Sequence, residues 1–196
     1  YILPDYNVYI EKGCKFLELP APKNLDDVLD GLLILYSHVP SITTFPVYIG
    51  RLDVLLDPFI TDEEQDYIKI KRFLNHVDKT VPDSFCHANI GPYDTKAGRL
   101  ILKAVIELEA PTPNMTIRYD KSKTSREFAE LAAKACLLVS KPSFANDAYY
   151  ISDLGEQYGI ASCYNALPEC GGAYTLTRLR LGTIARACKT VDEMIN

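Results

Sequence analysis

The chain has 196 residues, 47% of them hydrophobic and 24% charged, with a formal net charge of −5. That balance excludes a disordered or fibrous protein and allows a single domain with a sizeable core. The Lys and Arg residues are scattered, which leaves no basic footprint for nucleic acid, and no apolar run approaches the roughly 20 residues of a membrane span.

In chain order, Asn24 is placed to cap a helix whose apolar face is Leu25, Val28, Leu29, Leu32 and Tyr36. A β-branched and aromatic stretch at 45–49 predicts a strand. Thr61 with Glu64 forms a capping box ahead of Tyr67, Ile70, Leu74 and Val77 at helical spacing. A second strand is expected at 85–90. Asp94 or Thr95 then opens a helix carrying Leu100, Ile101, Ala104, Val105 and Leu108. A third strand is expected at 115–119. Thr124 with Glu127 caps a helix with Phe128, Leu131, Ala132, Ala135 and Leu138 on one face. Strands follow at 143–146 and 159–163, and a fifth helix at 175–184, weakened by Gly182. The last signal is a capping box, Thr190 with Glu193, with only three residues after it, so the sequence is expected to be a fragment that stops inside an element. Short strands alternating with helices predict crossover units of a mainly parallel sheet. The Pro-rich joints Ala110-Pro111-Thr112-Pro113 and Lys141-Pro142 read as tight connections, so residues 1–196 form one α/β unit.

In parallel α/β architectures chemistry gathers at strand ends and the loops after them. Cys86-His87, Asn89, Arg118, Asn146-Asp147 and Cys163 all fall at or near such ends. Cys163 follows a short strand and precedes Gly171-Gly172, a place for a reactive thiol and equally for a buried small hydrophobe. Cys86 and His87, adjacent on a strand, point to opposite faces and cannot act together as a dyad. His87 is a candidate pocket residue. Arg118 reads either as an anion clamp or as half of a structural ion pair, and Asn146-Asp147 either orients a polar substrate or makes a cap. The six cysteines, at 14, 86, 136, 163, 170 and 188, include no CxxC, and His38, His76 and His87 complete no zinc spacing, so no metal site is expected. Reduced thiols in a cytoplasm are the expected state, and Cys14, Cys136 and Cys188 read as packing. Gly171-Gly172 lacks the Lys-Ser/Thr of a phosphate loop.

Four segments stand in register, Gly50-Arg51-Leu52-Asp53 with Asp57-Pro58-Phe59, Pro113 to Arg118, Pro142 to Asp147, and Tyr158 to Cys163, and together they resemble the glycyl radical enzymes. Gly50-Arg51-Leu52-Asp53 with Asp57-Pro58-Phe59 resembles that family's Gly-Arg-Leu/Phe-Asp … Tyr-Pro-Tyr/Phe segment. Pro113-Asn114-Met115-Thr116-Ile117-Arg118 resembles its Pro-Asn-Leu-Ser-x-Arg strand. Pro142-Ser143-Phe144-Ala145-Asn146-Asp147 resembles its Pro-x-Phe-x-Asn-Asp strand, and Tyr158 to Cys163 its active-site cysteine loop. Phe85 to Pro92 and Ser162-Cys163-Tyr164-Asn165 are most similar to the YjjI-type branch.

The resemblance implies part of a ten-stranded α/β barrel, pyruvate formate-lyase-like, with the cysteine loop inside. It implies that a radical stored on a glycine near the C-terminus, installed by a radical-SAM activating enzyme, passes to Cys163. The thiyl radical then abstracts hydrogen from a small organic substrate, in anaerobic metabolism and in a homodimer. The glycine segment, Arg-Val-x-Gly-Tyr in that family, is not in these 196 residues, so the fragment alone is expected to be inactive. Asn165, Glu169, His87, Asn146, Asp147 and Arg118 are the expected substrate-side residues. Two departures matter. Ser162 stands where pyruvate formate-lyase has a second cysteine, and Asn165 stands where the dehydratases place a glutamate base; an amide accepts no proton. Glu169 is a candidate stand-in. Two other readings remain open: a cysteine-nucleophile enzyme pairing a Cys163 thiolate with His87 or Asp147, and a non-catalytic α/β binding domain.

Overall fold

The computed structural model describes residues 7–43, 47–81, 86–109, 112–161, 165–168, 186–190 and 193. After a short helix α1 (Asn7–Lys12), α2 (Leu25–Thr43) starts where Asn24 accepts the Asp27 N–H at 3.0 Å, as its sequence predicts. Two other caps sit one residue later than the capping-box pattern suggests. Asp62, not Thr61, caps α4 (Glu63–Thr80), taking the N–H groups of Glu64 and Gln65. Ser125, not Thr124, caps α6 (Arg126–Val139), because the Thr124 hydroxyl is already occupied by the Asp120 N–H at 3.1 Å. Thr95 caps α5 (Lys96–Leu108) through Gly98. Two short helices add to those expected from sequence: α3 (Leu52–Leu56) and α7 (Asp147–Leu154). The helix expected at 175–184 lies outside the described residues.

Strands β1 (Val47–Arg51), β2 (Cys86–Ile90), β3 (Asn114–Tyr119) and β4 (Ser143–Asn146) form a parallel sheet in sequence order. Each is joined to the next by helix, and α4, α5 and α6 pack in succession on one another. The sheet is therefore wound in one direction with a continuous helical layer. Its core joins Val47 and Ile49, Cys86, Ala88 and Ile90, and Met115 and Ile117 to the apolar stripes of α2, α4, α5 and α6. Gly98 allows the close approach of α5 to α6, since a Cβ there would lie 2.9 Å from the Phe128 ring.

By the two-residue alternation of strands, the opposite face carries Tyr48, His87, Asn89, Thr116, Arg118 and Ala145. On this face sits the remaining sheet, an antiparallel hairpin of β5 (Tyr158–Ala161) and β6 (Asn165–Pro168). The strand expected at 159–163 is thus no member of the parallel sheet. It belongs to a hairpin that packs through Tyr158, Ile160 and Ala161 against Ala145 and Tyr48. Among the described residues six strands are present, four of them parallel, and no helix is long and apolar enough to cross a membrane.

Candidate functional site

Both faces of β2 are buried, so every polar side chain on it must find a partner. Asn89, fully buried, binds the backbone of β5: its Oδ1 accepts the Ile160 N–H at 2.9 Å and its Nδ2 donates to the Ile160 carbonyl at 2.8 Å. The Tyr48 hydroxyl donates to the same Oδ1 at 2.8 Å. Tyr48 also lies against Gly159, where a Cβ would come within 2.3 Å of its hydroxyl, so only glycine fits beneath this ring.

One strand along, Arg118 is buried, and each of its three guanidinium nitrogens donates to a protein group. Nε donates to Asp147 Oδ1 at 2.7 Å, Nη1 to the Tyr158 carbonyl and Nη2 to the Glu156 carbonyl, each at 3.3 Å. The guanidinium carbon sits 4.0 Å from the centre of the Tyr158 ring. The Tyr158 hydroxyl donates to Asp147 Oδ1 at 2.8 Å. Burial first, and then this carboxylate acceptor, hold the Tyr158 phenol above its ordinary titration range. The other oxygen of Asp147 has no hydrogen-bond partner but faces Lys123 Nζ at 3.6 Å. A buried pair of this kind is a locked structural unit, because removing either partner strands a charge in the interior.

The Gly-Arg-Leu-Asp … Asp-Pro-Phe segment has a different task. Asp53 Oδ2 accepts the Gly91 N–H at 2.9 Å and the Thr95 hydroxyl at 3.2 Å, and Asp57 Oδ1 accepts the Ala97 N–H at 3.0 Å. Both carboxylates brace the turn from β2 into α5. Gly91 holds φ at +77° there, a conformation that favours glycine. Asp53 is fully buried and its Oδ1 has no partner; burial pushes its carboxyl up to about 6.

Of the residues singled out by sequence, His87 and Arg118 lie on the hairpin side of the sheet, His87 level with Asn114 and so four strand positions from Arg118, and it is Arg118 that meets Asp147. His87 is buried, and its carbonyl accepts the Tyr36 hydroxyl at 3.0 Å. Asn146 is exposed and caps α7 through the Tyr149 N–H at 3.1 Å, on the strand face away from this cluster. Asn165 is exposed and pairs with Ala161 at the loop end of the hairpin. Cys163 and Glu169 lie outside the described residues; 162–164 connect β5 to β6. Cys86 points into the helix-side core, where burial pushes its thiol up, so it faces away from His87. A cavity of about 410 Å³ at the carboxyl ends of β3 and β4 is lined by Tyr119, Asp120, Phe144 and Asn146, apart from His87 and Arg118.

Sequence reasoning placed Asn89 at a strand end without giving it a role in the site, and left out Tyr48 and Tyr158. The available signal was alternation: Asn89 lies two residues after His87 in a strand, hence on the same face.

A sequence model described as "Glycyl radical enzyme YjjI-like" matches residues 1–196. Over 196 residues the chain is 91% identical to an uncharacterized protein of Haemophilus influenzae, covering 100% of this chain and 38% of that protein. It is 45% identical over 196 residues to the uncharacterized protein YjjI of Escherichia coli, covering 98% of this chain and 38% of the relative. The chain thus spans little more than a third of the length of these relatives.

Proposed function

The chain belongs to the YjjI-like glycyl radical enzyme family, and from that premise we propose that the full-length protein uses Cys163 as its hydrogen-abstracting sulfur. The S–H bond of Cys163 breaks homolytically, the hydrogen atom leaving to a glycine-centred radical held in a segment outside these residues. The sulfur, left with the unpaired electron, takes a hydrogen atom from a small organic substrate. Sulfur suits this exchange because S–H and activated C–H bonds are close in strength, so the hydrogen can return.

The observation that carries the reading is the anchoring of β5, the strand that leads into Cys163. Buried side chains of β2 and β3 grip its backbone at Ile160 and Tyr158. A radical site needs a fixed, water-poor setting, and a strand held this way fits such a group. The sequential parallel sheet with its hairpin on one face is what a portion of a ten-stranded barrel enclosing the cysteine loop would look like.

In this reading Arg118 and Asp147 hold the hairpin and are not free to clamp an anion, while His87 and Asn165 remain the substrate-side candidates together with Glu169. The engagement of Asp147 by Arg118 and Tyr158 also favours the radical reading over a thiolate paired with Asp147. Ser162 and Asn165 argue against both acyl transfer through two cysteines and a glutamate-assisted dehydration. A radical-SAM activating enzyme is the implied partner, in an oxygen-free cytoplasm, with a homodimer as the implied assembly.

The test is electron paramagnetic resonance of the full-length protein after anaerobic treatment with a radical-SAM activating enzyme. A glycine-centred doublet is expected. Its absence, together with a downstream sequence lacking an Arg-Val-x-Gly-Tyr-like segment, would refute the assignment.

A further inference from the structure

We infer that Asn89 is a positioning residue: its side-chain amide stands in for a neighbouring strand along the edge of β5 turned away from β6 and so sets the register of the hairpin that leads into Cys163 against the sheet. In an antiparallel pair, alternate residues turn their N–H and C=O toward the partner strand, and those between turn them away. Ile160, opposite Ala166, turns both groups away from β6 and into the buried space over β2. Unpaired there, they would be costly. The Asn89 amide offers one acceptor and one donor in a plane, as a peptide group does, and satisfies both.

Three neighbours make the arrangement specific. The Tyr48 hydroxyl donates to Asn89 Oδ1, which fixes which end of the amide is oxygen. Arg118 takes the Tyr158 carbonyl, two residues back on the same edge, and so continues the substitute ladder. Pro168, opposite Tyr158, has no N–H to give, and none is needed where the pair faces outward. A slip of β5 by one residue would turn the peptide groups away from Asn89. It would also bring a side chain under the Tyr48 ring, where even a Cβ added at Gly159 would lie 2.3 Å from the hydroxyl. Hydrogen bonding and sterics therefore select the same register. What this register does for Cys163 rests on the radical reading; the latch itself does not.

The experiment is amide hydrogen exchange on the full-length, non-activated protein and its Asn89→Ala and Tyr48→Phe variants, with Cys163 alkylation by iodoacetamide measured alongside. In Asn89→Ala, exchange at the Ile160 amide should quicken at least about tenfold, the equivalent of about 1.4 kcal/mol, while Ile117 in β3 keeps its wild-type rate. The Cys163 alkylation rate should change with Ile160. Tyr48→Phe, which removes only the orienting hydroxyl and preserves the ring, should produce a smaller acceleration at Ile160 and none at Ile117. Unchanged exchange at Ile160, or acceleration equal at Ile160 and Ile117, would overturn the inference, the second result indicating general stability alone. Because the protein is not activated, a missing glycine-centred signal would sink the radical reading and leave this result standing.

Discussion

Replacing Asp53 by asparagine tests the account of the β2–α5 turn. Asp53 is fully buried, and one of its oxygens has no partner. Burial raises its carboxyl from an ordinary value of 3.8 to about 6, against the opposing pull of the Gly91 and Val54 N–H groups, the Arg51 charge and the Thr95 hydroxyl. An acid whose folded value lies above its unfolded value stabilises the fold fully below the unfolded value, and that stability is lost as the pH rises through about 6. A difference of two units corresponds to about 3 kcal/mol above neutrality, of which about 1.4 kcal/mol develops between pH 5 and pH 7.5. Asparagine keeps an acceptor for Gly91 and Thr95 and carries no charge, but places an unpaired N–H₂ where the lone oxygen was, a pH-independent cost of about 1–3 kcal/mol. The sign at any single pH is therefore not diagnostic, whereas the slope is. Urea unfolding of the full-length wild type and Asp53→Asn at the two pH values should show the variant gaining about 1.4 kcal/mol on the wild type at the higher pH. A difference that is flat, or that narrows as pH rises, refutes the reasoning.

Two further outcomes follow from the buried groups. Arg118→Met leaves Asp147 charged in the interior with the Tyr158 hydroxyl and, as its remaining cation among the described residues, Lys123 at 3.6 Å, and should cost about 3–5 kcal/mol in chemical denaturation. Arg118→Met combined with Asp147→Leu should cost less than Arg118→Met alone, and a double variant as damaged as the sum of the singles would contradict the pairing. In native protein at pH 8, iodoacetamide should leave Cys86 unmodified while the half-buried Cys136 reacts, as read by peptide mass spectrometry; early labelling of Cys86 would place its thiol outside the core.

Most of the architecture was legible in the chain. Four helices carry apolar stripes at a period of 3.6, and the strands between them are short and apolar, so element type and alternation follow from local burial patterns. The caps of α4 and α6 show where local reading stops. Thr61 and Thr124 satisfy the pattern, but at α6 the Thr124 hydroxyl is claimed by the Asp120 amide, a competition between neighbours that spacing does not rank. α7 escaped notice because its stripe, Asp147, Tyr150, Ile151 and Leu154, spans only eight residues, too short a run for periodicity to separate from a loop.

The candidate site divides the same way. By itself the sequence determined the family, the thiol on which the proposal rests and the departures at Ser162 and Asn165, because each is a matter of residue identity at a motif position. Only the tertiary structure decided that Arg118 and Asp147 bind each other, that the two aspartates of the Gly-Arg-Leu-Asp … Asp-Pro-Phe segment brace a turn, and that Asn89 grips Ile160 across 71 positions of chain. The physical reason is that a buried polar group is assigned its role by whichever partner burial brings within 3 Å or so. That partner is set by how the hairpin lies on the sheet, and no local pattern encodes it.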